Sequence, residues 1–210
     1  MSMLLCPIIP DKKLAFVGIP KNAGTSIRVA FGIAQGFVTP NDEVKQAFKM
    51  PWPSVSTKSD INLLRKQGYL RFCVARNPWA RLVSCWNNKR FNAKWIANNN
   101  ANSFCHGMEF LPFARSAHET PDDLIDHHLR SQTTYIFDGD TLLVDRILRF
   151  ENLNQDWQAL RDEFDLPELP HYKPTGSQDA YRAIYQEFPE AKELVAERYA
   201  RDIEFFGYEY

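Results

Sequence analysis

The sequence predicts an α/β fold: a single domain with a central, mostly parallel sheet flanked by helices. Three stretches lead there. Leu14–Val17 is a short apolar run closed by Gly18 and Pro20, which suits a buried strand. Ile27, Ala30, Phe31 and Ala34 then fall at the i, i+3, i+4, i+7 spacing of a helical stripe. Tyr69–Ala75 is a second β-prone run, apolar apart from Arg71, and Asn77-Pro78 reads as the N-cap and first position of a following helix. Leu142–Phe150 reads as a third strand, followed by a helix with Leu153, Trp157, Leu160 and Phe164 on one face. Strands that alternate with helices in this way pair in parallel.

The other segments are placed around this frame. Residues 39–60, rich in Pro, Ser and Thr, read as an irregular connection. Trp79, Leu82, Val83 and Trp86 mark the buried face of the second helix, with Ser84 on its other side. From Asn87 to about Glu119 the periodicity dissolves into an Asn-rich segment, so residues 87–120 are a candidate lid or acceptor-binding element. It carries Lys89, Arg90 and Lys94, read as a solvated charge cluster, and the aromatics Phe91, Trp95 and Phe104. A last helix over roughly 190–201 ends in an aromatic tail, FFGYEY, expected to pack on the core.

Composition narrows the function classes. With 210 residues, 44% hydrophobic and 24% charged, the chain is expected to be one soluble globular domain spanning 1–210. A formal net charge of −1 provides no global basic field, so nucleic acid is not an expected partner. Any anion site must be built from a few local residues. Cys6, Cys73, Cys85 and Cys105 show no metal-ligand spacing and read as reduced thiols. The opening MSMLLCPIIP is too short and proline-broken to span a membrane and lacks the marks of a signal peptide, so a cytoplasmic location is expected.

Between the first strand and its helix lies IPKNAGTSI, residues 19–27. A helix N-terminus offers unpaired N–H groups and a partial positive charge, and so binds anions. Here Gly24 lets the backbone approach a ligand, Thr25 and Ser26 add hydroxyls, and Lys21 adds a full charge at the mouth. The order differs from the nucleotide-binding GxxxxGK[ST] loop, because the lysine precedes the glycine by three residues. That disfavours an ATP-dependent small-molecule kinase, which remains the alternative reading together with a non-catalytic nucleotide-binding protein of the same fold. At the second strand–helix junction Arg76 ends the strand and Ser84 sits two turns into the helix. Two anion-binding junctions suit one ligand with two separated phosphate-type groups.

IPKNAGTSI resembles the 5′-phosphosulfate-binding loop of sulfotransferases, and FCVARNPWARLVSCWNNK resembles their 3′-phosphate-binding segment. The version here resembles the Golgi-type carbohydrate sulfotransferases and their bacterial relatives, with further matches at HLRSQ (His128–Gln132), RFENLNQD (Arg149–Asp156) and Tyr199, Asp202 and FFGY. The resemblance implies a P-loop-like architecture. It also implies a donor, 3′-phosphoadenosine 5′-phosphosulfate (PAPS), with 3′-phosphoadenosine 5′-phosphate (PAP) as product and no metal. By that resemblance Lys21, Asn22, Ala23, Gly24, Thr25 and Ser26 hold the 5′-phosphosulfate, and Arg76 and Ser84 hold the 3′-phosphate. Lys173 and Thr175, in LPHYKPTGS, match more loosely a segment that closes over the nucleotide.

Lys21 is then expected to stabilise charge in the transfer, and a base must take the proton of the acceptor hydroxyl. Some family members carry a catalytic histidine between the two phosphate segments, and this sequence has none there. His128 best matches a family histidine and is the expected base, with His127 and Glu119 as alternatives. Arg149 and Glu151 are expected to brace the site. The acceptor implied is a carbohydrate or small-molecule hydroxyl, with membrane association only if that acceptor is lipid-linked.

Overall fold

The computed structural model describes residues 4–39, 52–90, 107–170 and 180–210. The chain divides into two compact units, Met1–Ala75 with Thr134–Pro174, and Arg76–Thr133 with Thr175–Tyr210.

The first unit is an α/β layer. Strands β1 (Cys6–Ile9), β2 (Leu14–Phe16), β3 (Ser54–Val55), β4 (Leu70–Ala75) and β7 (Arg146–Arg149) form a sheet in the order β3-β1-β2-β4-β7. β5 (Phe137–Asp138) and β6 (Thr141–Leu142) form a separate two-stranded ribbon. The β2–β4–β7 half is parallel, as the alternating pattern requires, whereas β1 pairs antiparallel with both β2 and β3. A short 3-10 turn, Pro10–Lys12, joins β1 to β2, and such a connection permits only antiparallel pairing.

On one face of the sheet Phe16 and Phe72 meet at 5.2 Å, and Phe72 also meets Phe31 of α1 (Gly24–Ala34) at 6.1 Å and Trp157 at 6.4 Å. Trp157 and Leu160 belong to the helix after β7, Leu153–Phe164, and pack into this same core, as their spacing required. Side chains alternate across a strand, so Arg71 and Cys73 point to the opposite face. Arg71, the one charged residue expected inside a strand, is fully buried. Its guanidinium donates to Asp145 twice, at 2.9 and 2.6 Å, and its own N–H bonds the same carboxylate at 2.9 Å.

The region read as an irregular connection contains β3 and the start of α2 (Lys58–Lys66). The signal was present: Thr57 caps the helix by accepting from the N–H of Asp60. The expected strand over Leu142–Phe150 is divided: Leu142 pairs in β6, and β7 runs over Arg146–Arg149.

The second unit is helical. It contains α3 (Pro78–Arg90), α4 (Phe110–Glu119), α6 (Ala180–Glu187), α7 (Pro189–Arg198) and α8 (Ala200–Phe206), with Leu153–Phe164 of the first unit numbered α5. Trp79, Leu82, Val83 and Trp86 are buried, as their helical spacing predicted. Phe110 sits among Trp86, Tyr185 and Phe188 at ring distances of 5.3, 5.2 and 6.3 Å. The last expected helix is two helices, broken at Tyr199, whose hydroxyl donates to the carbonyl of Leu129 at 2.8 Å. The aromatic tail packs as expected: Phe206 is buried and the Tyr210 ring meets Trp79 edge-on at 5.6 Å. α4 lies within the segment read as lacking periodicity, while Phe91, Lys94, Trp95, Phe104 and Cys105 lie outside the described residues.

Candidate active site

β2 and β4 are parallel neighbours, so their carboxyl ends meet at one edge of the sheet, where α/β folds hold ligands. The ladder runs on to Val17, whose N–H bonds the carbonyl of Phe72 at 2.8 Å. Gly18 then bonds the carbonyl of Leu5 at 2.9 Å, so closely that a Cβ there would lie 2.8 Å from the Leu5 oxygen. Only glycine fits.

Beyond Ile19 the chain leaves the sheet in a tight turn. Lys21 and Ala23 both adopt left-handed backbone, with φ of 72° and 59°. Such a conformation costs a residue with a side chain about 1–2 kcal/mol, so something must hold it. The residue between them, Asn22, is fully buried and its side-chain amide donates to the carbonyl of Val74 at 2.7 Å. Val74 is the next carbonyl of β4 on the β2 side after Phe72, so Asn22 satisfies the group that β2 has abandoned.

α1 starts at once. Ala23 is its N-cap and provides no side-chain cap, and the first-turn N–H groups of a helix have no partner within it. The Asn22 N–H donates to the Ile19 carbonyl at 3.3 Å and closes the turn, so an anion here would be met by the N–H groups at the start of α1. A Cβ on Gly24 would meet only the Phe16 ring, at 3.9 Å, among the described residues. Internal packing therefore does not require glycine at that position. Thr25 is half-buried and Ser26 buried in the first turn.

One cation near this loop escaped the sequence reading. Arg28, four residues after Gly24, donates its Nε to the Gly24 carbonyl at 3.1 Å. Burial lowers its guanidinium to about 10, so it stays charged at neutral pH. The i, i+4 spacing from the loop glycine was the only signal.

In the second unit Asn77 acts as the N-cap that its sequence announced. Its Oδ1 accepts from the N–H groups of Trp79 at 3.0 Å and Ala80 at 3.2 Å, with Pro78 first in α3. Arg76 is buried, and Ser84 is half-buried on α3. Gln132 accepts from the Arg76 N–H at 3.0 Å and donates to the Arg76 carbonyl at 2.9 Å. Arg81, also buried, donates to the carbonyl of His128 at 3.1 Å.

His128 lies on a 3-10 turn, His127–Leu129, capped by Asp126. The Asp126 Oδ1 bonds both the His128 N–H and the ring Nδ1, each at 2.9 Å. An ionised carboxylate only accepts, so Nδ1 carries the proton and Nε2 the basic lone pair. His127 is exposed, its ring 3.9 Å from that of His128. Glu119 ends α4 exposed, and its neighbour His118 bonds Glu197 at 2.9 Å. Asp126, His127 and His128 offer three ligand atoms within 4.8 Å of one another, the one such group among the described residues.

The RFENLNQD segment is braced through a residue the sequence reading did not single out: Asp156 accepts from the Arg149 N–H at 2.6 Å. Glu151 lies in the 3-10 turn between β7 and α5. Lys173, Thr175, His106 and His171 lie outside the described residues, as do the side chains of Lys89 and Arg90. Burial pushes the thiols of Cys6 and Cys73 up to about 12, which makes them unreactive core residues. Among the described residues no helix is long and apolar enough to cross a membrane.

A model of the sulfotransferase family matches residues 7–209. No curated protein and no solved structure matches the chain.

Proposed function

Because the chain belongs to the sulfotransferase family, we propose that it moves a sulfuryl group from PAPS to a hydroxyl of a carbohydrate or small-metabolite acceptor. The observation that carries this reading is the loop after β2, with left-handed Lys21 and Ala23 on either side of a pinned Asn22, at the uncapped start of α1. Strain held at such a place points to a ligand site, and the donor set is that of an anion cradle. Lys21, Asn22, Ala23, Gly24, Thr25 and Ser26 would take the 5′-phosphosulfate. Arg76 and Ser84 would take the 3′-phosphate, and Lys173 and Thr175 would close over the nucleotide.

The step is an in-line displacement. The acceptor oxygen bonds to sulfur while the S–O bond to the 5′-phosphate breaks, and the electron pair stays on the phosphate oxygen. The Lys21 ammonium stabilises that growing charge, the kind of electrostatic contribution that dominates phosphoryl transfer. The hydroxyl proton passes to Nε2 of His128, held in the basic tautomer by Asp126. Charge on the leaving oxygen is met by protein groups, so the scheme needs no metal. The chain works as one sulfotransferase domain, and reduced buried thiols fit a cytoplasmic enzyme.

Calorimetric titration with PAP, beside ADP and AMP and without magnesium, tests the donor. Tight binding of PAP with weak binding of the other two is expected, and Arg76→Ala abolishes the preference. Equal binding of ADP, or binding only with magnesium, would replace this reading with the kinase.

A further inference from the structure

We infer that Gln132 is a positioning residue for the donor's 3′-phosphate, acting through the main chain of Arg76. The inference rests on the reading of Arg76 given above.

Gln132 is fully buried, and its carboxamide bonds the main chain of Arg76 twice, accepting from its N–H and donating to its carbonyl. That is the pattern a strand partner would supply, made here by a side chain where β4 has ended at Ala75. With both main-chain groups bound, the φ and ψ of Arg76 are fixed and so is the origin of its side chain.

Gln132 is held in turn. Its N–H donates to Asp202 Oδ2 at 2.7 Å, and the N–H and hydroxyl of Thr133 both donate to Oδ1 at 2.9 Å. Asp202 is fully buried, and burial pushes its carboxyl up more strongly than Arg81 and these three hydrogen bonds pull it down. A buried carboxylate is a costly support where an apolar core would serve for stability alone. What it supplies is direction: Asp202 orients Gln132, and Gln132 orients Arg76. HLRSQ and the Tyr199/Asp202 pattern, far apart in sequence, are two parts of one brace.

The test compares PAP with AMP, which differ by the 3′-phosphate alone. Gln132→Met keeps the volume and removes both bonds. PAP affinity is expected to fall at least tenfold with AMP affinity unchanged, and Gln132→Met in an Arg76→Ala background to cause no further loss. Parallel losses for PAP and AMP, or an unchanged ratio in a folded variant, overturn the inference while the wild-type preference for PAP upholds the donor site. A wild-type protein that does not prefer PAP to AMP overturns both. If Gln132→Met fails to fold, Gln132→Asn, which keeps the amide on a shorter stem, is measured in the same way. Failure of both to fold shows Gln132 to be a purely structural residue, which also overturns the inference.

Discussion

The side-chain amide of Asn22 bonds the main-chain carbonyl of Val74 across 2.7 Å, in a place without solvent. This hydrogen bond ties the loop after β2 to β4, between two left-handed residues. Asn22→Ala leaves that carbonyl unsatisfied, and urea unfolding should show a loss of about 1–3 kcal/mol. PAP affinity should fall with it, because Lys21 and Ala23 then relax. Unchanged affinity in a destabilised variant would separate the strain from the ligand.

The two glycines of this stretch should behave in opposite ways. Gly18→Ala drives a Cβ to 2.8 Å from the Leu5 oxygen and should lower the thermal midpoint. Gly24→Ala meets only the Phe16 ring, at 3.9 Å, among the described residues and should leave the midpoint in place, since alanine favours helix. Its effect should appear in PAP titration instead, as weakened binding. A Gly24→Ala variant with wild-type affinity would mean that no ligand approaches there.

Lys21→Ala should reduce turnover by about 10²–10³-fold, as the loss of one preorganised charge does elsewhere. PAP affinity should change much less, because the charge it meets develops only in the transfer. Single-turnover kinetics with PAPS checks this, and full turnover in the variant would refute the assigned role.

For His128→Ala the expected loss of kcat is about 10²–10⁴-fold, the usual contribution of general base catalysis. His127→Ala should remain close to wild type, since His127 is exposed and its ring lies against that of His128. The reverse order of effects would move the base to His127.

Asp145 makes an acid-stability prediction. Burial pushes its carboxyl up, but the hydrogen bonds and charge of Arg71, with Arg65 nearby, outweigh this and hold it below its ordinary value of 3.8. A carboxyl lowered in the folded state adds stability above its unfolded value and loses it as pH falls through the folded one. Chemical denaturation should therefore show stability declining below about pH 4. Asp145→Asn should remove most of that slope and cost about 3 kcal/mol, because the fully buried Arg71 is left without its carboxylate.

The parts of the fold that the sequence made legible are those where short-range periodicity and capping decide. α1, α3 and α5 have apolar stripes at helical spacing, and Asn77-Pro78 is a local N-terminal signal. The loop that begins α1 was legible for the same reason, since its residues are contiguous. β1 was not, because Pro7 and Pro10 mask a strand whose only warrant is its partners β2 and β3. α4 was hidden by Pro112 in its first turn, where a proline is tolerated.

Sequence by itself determined the α/β class, the loop that begins α1 and the membership of one family, because each rests on neighbours along the chain. Tertiary structure alone decided that Asn22 completes the ladder of β4, that Arg71 is neutralised by Asp145, and that Gln132 and Asp202 brace Arg76. These contacts span 52 to 74 residues of chain. A buried polar group must find a partner wherever the fold brings one within 3 Å or so. Spacing along the chain does not record which partner that is.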